Sequence, residues 1–178
     1  MDRSDEALAD DAAAGNRAAL AVLLERHYDR IHRFAWRWAG SRAEAEDIAQ
    51  DVCVKVAVAI RAFRGEAQFT TWLYRITFTT AADRARARQR ILTFAPSEMM
   101  QLADAAVPAC QEDAVIGAEL WAAVRALPDQ QRAAVMFVYG EDLSHQEAAV
   151  LMGCTEKTVS WHLHEARRRL KIKLEAAG

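Results

Sequence analysis

Residues Leu143 to Lys173 read LSHQEAAVLMGCTEKTVSWHLHEARRRLKIK, and their spacing decides the fold class. Ser144 and Glu147 form a capping box, in which the hydroxyl accepts from the amide three residues on and the carboxylate accepts from the Ser144 amide. A helix therefore starts at Ser144. Its apolar run Ala148 to Met152 ends at Gly153, which tolerates the left-handed backbone of a tight exit. Thr155 caps a second helix whose apolar residues Val159, Leu163, Ala166 and Leu170 recur at helical spacing and mark one buried stripe. Two capped helices around a glycine turn predict a helix-turn-helix.

The opposite face of the second helix is where chemistry is expected. At about 100° per residue, Lys157, Trp161, His164 and Arg168 fall within roughly 40° of the line opposite the buried stripe. Donors there suit base edges in a major groove, and cations suit phosphates. An ordinary hairpin with a solvated charged face would show fewer of these features together.

The whole chain has 178 residues, a net charge of −2, seven glycines and three prolines. Few β-branched runs and few breakers predict an all-α protein. The charge is not uniform: net −3 over residues 1–60, +5 over 61–90, −7 over 91–153 and +3 over 154–178. Two basic blocks separated by an acidic one suit a chain that touches a polyanion at two places. Cys53, Cys110 and Cys154 form no C-x-x-C pair, which gives neither a zinc site nor a disulfide framework. The five histidines form no cluster, so no metal, cofactor or catalytic constellation is expected. The acidic N-terminus is unlike a signal peptide, and no apolar run approaches a membrane span, which predicts a cytoplasmic protein.

From the N-terminus, a short helix over residues 5–14 stops at Gly15, and Asn16 caps a core helix running to about Trp38. Ser41 with Glu44 forms a second capping box and opens a helix through Phe63, with Ile48, Val52, Val56 and Ile60 inward. Glu44, Asp47, Gln50 and Asp51 lie on a flank that is either simply solvated or a docking face for a basic or polar partner. FRGEAQFTTWLYRI, Phe63 to Ile76, holds a loop at Gly65 and a helix beginning at Trp72. Leu73, Ile76 and Thr80 face inward, and Tyr74 and Phe78 pair on another side. These aromatics, followed by Arg84, Arg86, Arg88 and Arg90, make a workable surface for single-stranded DNA; for Trp72, core packing is the simpler reading. Periodicity fades over Ile91 to Gln111, where one helical turn is expected near Met99 to Ala103. A helix from about Asp113 to Leu127 follows, then one from Asp129 to Tyr139 closed by Gly140, with Val135, Val138 and Tyr139 under the helix-turn-helix.

Three stretches together resemble one family, the bacterial alternative sigma factors of the small extracytoplasmic-function type within the sigma-70 family. AEDIAQDV (Ala45 to Val52) is similar to the segment that docks on core RNA polymerase. FRGEAQFTTWLYRI is similar to the promoter-melting segment. LPDQQRAAVMFVYGEDLSHQEAAVLMGC followed by TVSWHLHEARRRL is similar to the domain that reads the upstream element. The resemblance covers nearly the whole chain and implies two small helical domains joined by an acidic linker: region 2 over residues 1–90, a linker over 91–112, and region 4 over 113–178.

Carried onto this sequence, it implies that Asp47, Gln50 and Asp51 bind core polymerase. The loop Phe63, Arg64, Gly65, Glu66, Ala67 and Gln68 would capture a flipped base of the minus-ten element, at a cost of a few kcal/mol that the pocket must offset. Arg75, Thr79, Arg84 and Arg86 would support the melted strand. Thr155, Lys157, Thr158, Ser160, Trp161, His164, Arg167 and Arg168 would meet the minus-thirty-five element. At Ser160, Trp161 and His162 the family more commonly carries lysine, serine and arginine. An anti-sigma factor is the implied regulatory partner, and catalysis and cofactors are not implied. A stand-alone helix-turn-helix regulator leaves AEDIAQDV and FRGEAQFTTWLYRI unexplained, and an all-helical enzyme finds no catalytic constellation.

Overall fold

A computed structural model of the chain describes residues 3–94 and 116–175. The turn expected near Met99 to Ala103 lies outside the described residues. Among them the fold is all-α. Helix α1 spans Asp5–Ala13, α2 Arg17–Ala39, α3 Arg42–Ala59 and α4 Phe69–Phe94. The C-terminal group is α5 (Ile116–Arg125), α6 (Asp129–Val135), α7 (His145–Met152) and α8 (Glu156–Glu175).

Local chemistry sets most of these bounds. The Asn16 side chain accepts from the amides of Ala18 and Ala19 to start α2, and Gly40 ends it at φ 76. At α7 the capping box is complete in both directions. At α3 it is not: the Ser41 hydroxyl accepts from the Glu44 amide, but the Glu44 carboxylate turns to Arg88 of α4 at 2.5 Å. A charged partner outcompetes the neutral amide for that carboxylate. Helix α4 begins at Phe69, three residues before the expected Trp72, because the Gln68 carbonyl already accepts from the Trp72 amide and Phe69 is buried against Phe63 and His27. The helix from Asp129 does not stay regular: it widens into a π-turn over Met136–Gly140, closed by Glu141 N donating to Met136 O at 3.0 Å.

In the N-terminal group, Leu23, Ile31, Phe34 and Trp38 of α2 pack on Ile48, Val52 and Val56 of α3 and on Phe69 and Leu73 of α4. Asp5 of α1 ties down α2 through Arg26 at 2.5 Å and His27 at 2.7 Å. In the C-terminal group, Val124, Ala133, Phe137, Leu151, Val159 and Leu163 are buried together. These two cores are continuous. Phe137 inserts between the groups, with ring centroids 5.4 Å from Phe78, 5.7 Å from Phe34 and 6.5 Å from Tyr74. The Arg132 guanidinium lies 3.8 Å above the Trp38 ring, and Arg37 lies 4.8 Å above Trp121.

The seam also holds a polar latch. Arg37 Nη1 donates to the Gly140 carbonyl at 2.7 Å and reaches Glu141 at 3.4 Å, while the Tyr74 hydroxyl donates to the other Glu141 oxygen. The Glu141 side chain is only 3% exposed. Burial pushes its carboxyl above the ordinary value of 4.5, opposed by the Tyr74 hydrogen bond and by Arg37, Arg33 and Arg30.

Two outcomes follow for the seam. Tyr74→Phe removes one donor from a buried carboxylate and is expected to weaken docking by roughly 1–3 kcal/mol, visible as a larger hydrodynamic radius. The pH effect has a definite sign. Glu141 has its raised value only when docked, so docking takes up a proton between 4.5 and that value, and its contribution is full below 4.5 and lost as pH rises through the docked value. Small-angle scattering across pH should show docking favoured on acidification, and Glu141→Gln should remove that dependence.

Candidate nucleic-acid and polymerase interface

Helix α8 lays Val159, Leu163 and Ala166 into the core and turns the other side out. Lys157, Trp161, His164 and Arg168 are all exposed on that side. Trp161, at 56% exposed, is a large ring left in solvent among cations. Its ring meets the edge of His162, with centroids 5.0 Å apart. Burial pushes the His162 imidazole below its ordinary value of 6.5, which favours its neutral form. Arg168 pairs with Glu165 at 3.0 Å in an exposed contact, which a phosphate can displace at little cost.

The other upstream candidates are more engaged. Thr155 Oγ1 accepts from the Thr158 amide at 3.2 Å and the two hydroxyls lie 2.9 Å apart, so both serve the start of α8. The Ser160 hydroxyl lies 3.0 Å from His145 Nδ1 and links α8 to α7. Arg167 donates to the Tyr139 hydroxyl and its guanidinium lies 5.6 Å from that ring. Tyr139 is itself 53% exposed, so it is not packed under the helix-turn-helix as its spacing suggested. The π-turn rotates it outward, toward α8.

The loop from Arg64 to Gln68 is exposed throughout, with Gly65 at φ 67. Phe63 anchors it by packing against Phe69 and Trp72 at 6.0 and 5.3 Å. Trp72 is thus a packing residue, and the exposed residues Arg64 to Gln68 are what the loop offers to a ligand. Along α4, Arg75 and Thr79 are exposed and continue from the loop, although the Thr79 hydroxyl donates to the Arg75 and Ile76 carbonyls of its own helix. Arg86 lies farther along and pairs with Asp83 at 2.7 Å.

Arg84 does something different. It reaches across to α3 and pairs with Asp47 at 2.7 Å and Asp51 at 2.6 Å. One arginine from the expected DNA-facing run therefore orients two of the three expected polymerase contacts. Both carboxylates stay about half exposed, and Gln50 is exposed beside them.

Two family models match, "Sigma-70 region 2" over residues 23–91 and "Sigma-70, region 4" over residues 117–170. The B. subtilis ECF RNA polymerase sigma factor SigW is 30% identical over 173 residues, covering 90% of this chain and 91% of that one. The chain belongs to the ECF RNA polymerase sigma factors. Mycolicibacterium smegmatis SigE is 33% identical over 165 residues, covering 89% of this sigma factor, which spans 64% of the length of SigE. Two solved structures share the fold with a TM-score of 0.71. They are CnrH in complex with the cytosolic domain of CnrY (24% identity, covering 98% of this chain and 99% of that one) and RpoE with the anti-sigma factor NepR from Bartonella quintana (23%, covering 85% and 94%).

Sequence reading missed the seam of this sigma factor. Tyr74 and Phe78 belong to the aromatics read as a workable surface for single-stranded DNA, with core packing as the alternative; Tyr74 is buried and both rings pack against Phe137. The signal was present. An aromatic pair on a second face of α4 meant that the helix has a second partner. Among the described residues no group of three or more His, Cys, Asp or Glu side chains is arranged to hold a metal, and no described helix is long and apolar enough to cross a membrane. Burial pushes the thiols of Cys53 and Cys154 up from their ordinary value, away from reactivity.

Two variants separate scaffold from contact face. Ser144→Ala deletes the cap of α7 and is expected to cost about 1 kcal/mol of thermal stability. Trp161→Ala should change stability by less than about 0.5 kcal/mol while weakening binding to upstream duplex. If calorimetry shows Trp161→Ala unfolding like a core variant, that face is packing and not contact.

Proposed function

We propose that this protein directs promoter-specific transcription initiation by binding core RNA polymerase and two promoter elements, without catalysis of its own. The observation that carries the reading is the bare outer face of α8, where Trp161 stands 56% exposed over a fully formed helix-turn-helix core. The working units are region 2 over residues 1–90, a linker over 91–112 and region 4 over 113–178. Asp47, Gln50 and Asp51 form the polymerase contact, with Arg84 as their positioning residue. Phe63 to Gln68 holds the flipped minus-ten base, and Arg75, Thr79 and Arg86 line the melted strand. Lys157, Trp161, His164 and Arg168 enter the upstream major groove, flanked by Thr155, Thr158, Ser160 and Arg167. The protein acts in the cytoplasm, where promoter DNA is. An anti-sigma factor holds it until a stress signal arrives.

The docked seam bears on this mechanism. A minus-ten and a minus-thirty-five element lie about 25 base pairs apart, or about 85 Å of duplex at roughly 3.4 Å per base pair. A compact chain of this length has a radius of gyration of about 16 Å and spans about 40 Å. Both elements cannot be held at once while Phe137 stays inserted. Promoter engagement therefore requires the two regions to separate, and core polymerase supplies the binding energy.

Reconstitution tests the reading. Core polymerase, this chain and a promoter library are expected to give discrete run-off transcripts, and Gln50→Ala with Asp51→Ala is expected to weaken the complex with core at least tenfold. Absence of any complex with core would overturn it, and duplex binding alone would make the chain a stand-alone regulator.

A further inference from the structure

A cleft of about 490 Å³ opens at the seam, between Arg86 on α4, the α5–α6 corner with Arg125, Asp129 and Arg132, and Arg169 on α8. Its described lining carries four guanidiniums and one carboxylate. Arg132 is the anchor. It is 8% exposed, its Nη2 donates to Asp129 at 2.6 Å and its Nη1 to the Arg125 carbonyl at 3.4 Å. Its Nε is buried without a hydrogen-bond partner among the described residues. Burial pushes this guanidinium below its ordinary value, and neighbouring Arg125 adds to that against the pull of Asp129. Asp129 and the face of Trp38, 3.8 Å away, already meet most of this charge, so the cleft-side demand is for an acceptor that can share the guanidinium with Asp129. Arg125 crosses the seam as well, since a Cβ on Gly40 would lie 2.4 Å from its Nε.

We propose that this cleft binds a small, multiply phosphorylated ligand, of nucleoside-polyphosphate size, and that the ligand holds regions 2 and 4 together. Three considerations fix the class. Every cation in the described lining is arginine, whose planar fork matches phosphate oxygens in bidentate fashion. Among the described lining residues four guanidiniums face one carboxylate, and the exposed Arg86–Asp83 pair can be displaced by phosphate at little cost, so a compact polyanion is favoured over a neutral ligand. The volume falls within the roughly 300–1,000 Å³ of small-molecule sites, whereas an acidic helix about 10 Å wide would fill it with about one turn. Residues of both regions form the lining, so the ligand binds the docked form and stabilises it by mass action. The consequence for transcription rests on the function proposed above, but the binding itself does not.

Inorganic tripolyphosphate, titrated calorimetrically into the full chain at physiological ionic strength, is the test. One site per chain is expected, with a smaller hydrodynamic radius when it is filled. Arg169→Ala should weaken binding at least tenfold without unfolding the protein, and Arg125→Gln should do the same. Arg168→Ala, on the outer face of α8, should change affinity less than twofold. Tyr74→Phe, which loosens the seam away from the cleft, should lower apparent affinity by the fraction undocked. Equal losses from Arg168→Ala and Arg169→Ala would mean diffuse attraction and overturn the proposal, as would absence of binding. An oligoglutamate peptide binding as tightly as tripolyphosphate would overturn the phosphate assignment. These readouts need no polymerase, so their failure is distinct from failure of the sigma reading.

Discussion

The Glu141 carboxylate, enclosed between Tyr74 and Arg37, is the contact on which the docked arrangement turns. A buried carboxylate is expensive to dehydrate, and its partners return that cost only while both regions supply them. Tyr74 and Arg37 come from region 2 and Glu141 from region 4, so separation exposes all three to water, where each is well solvated. The polar part of the seam is therefore close to neutral overall. Phe137, packed against Phe34, Tyr74 and Phe78, supplies the attraction. A seam made this way is specific in register and modest in strength, which suits the opening that the proposed function requires.

The same division explains what could be read from the sequence. Helix starts set by local chemistry were legible, because Asn16, Ser41, Ser144 and Thr155 act on amides two or three residues away. The inward stripes of α3 and α8 were legible too, since helical spacing fixes which residues share a face. What escaped depends on contacts between residues far apart in the chain. Glu44 left its capping box for Arg88, and Arg84 left the DNA-facing run for Asp47 and Asp51. Spacing shows that a charged residue faces outward, but not which distant charge it meets. The π-turn was illegible for a related reason: Met136–Gly140 widens where Phe137 enters the seam and Glu141 meets Tyr74. That is a tertiary demand on an otherwise helical stretch.

The arginines after α4 begins show how one basic block is divided among tasks. Arg84 and Arg88 pair with α3, which fixes the angle between the candidate polymerase-facing flank and the helix behind the candidate melting loop. Arg75 remains toward the loop side. Arg86 borders the seam cleft. The net positive charge of residues 61–90 thus overstates what is available to DNA, since part of it already neutralises region 2 from within.

The candidate upstream face is unaffected by docking, because Lys157, Trp161, His164 and Arg168 are exposed while Phe137 is still inserted. Closure therefore does not hide the recognition helix. What it removes is simultaneous engagement. Two weak contacts joined by a tether bind far more tightly than either alone, but only if the geometry lets both be made, and a docked chain about 40 Å across does not span both elements. The seam would thus gate avidity and leave recognition intact. On the function proposed above, a closed molecule would sample upstream duplex weakly and let go, and only opening on core polymerase would convert that encounter into stable promoter binding. A ligand in the basic cleft would shift this balance without touching the candidate DNA-facing side chains Lys157, Trp161, His164 and Arg168 of α8.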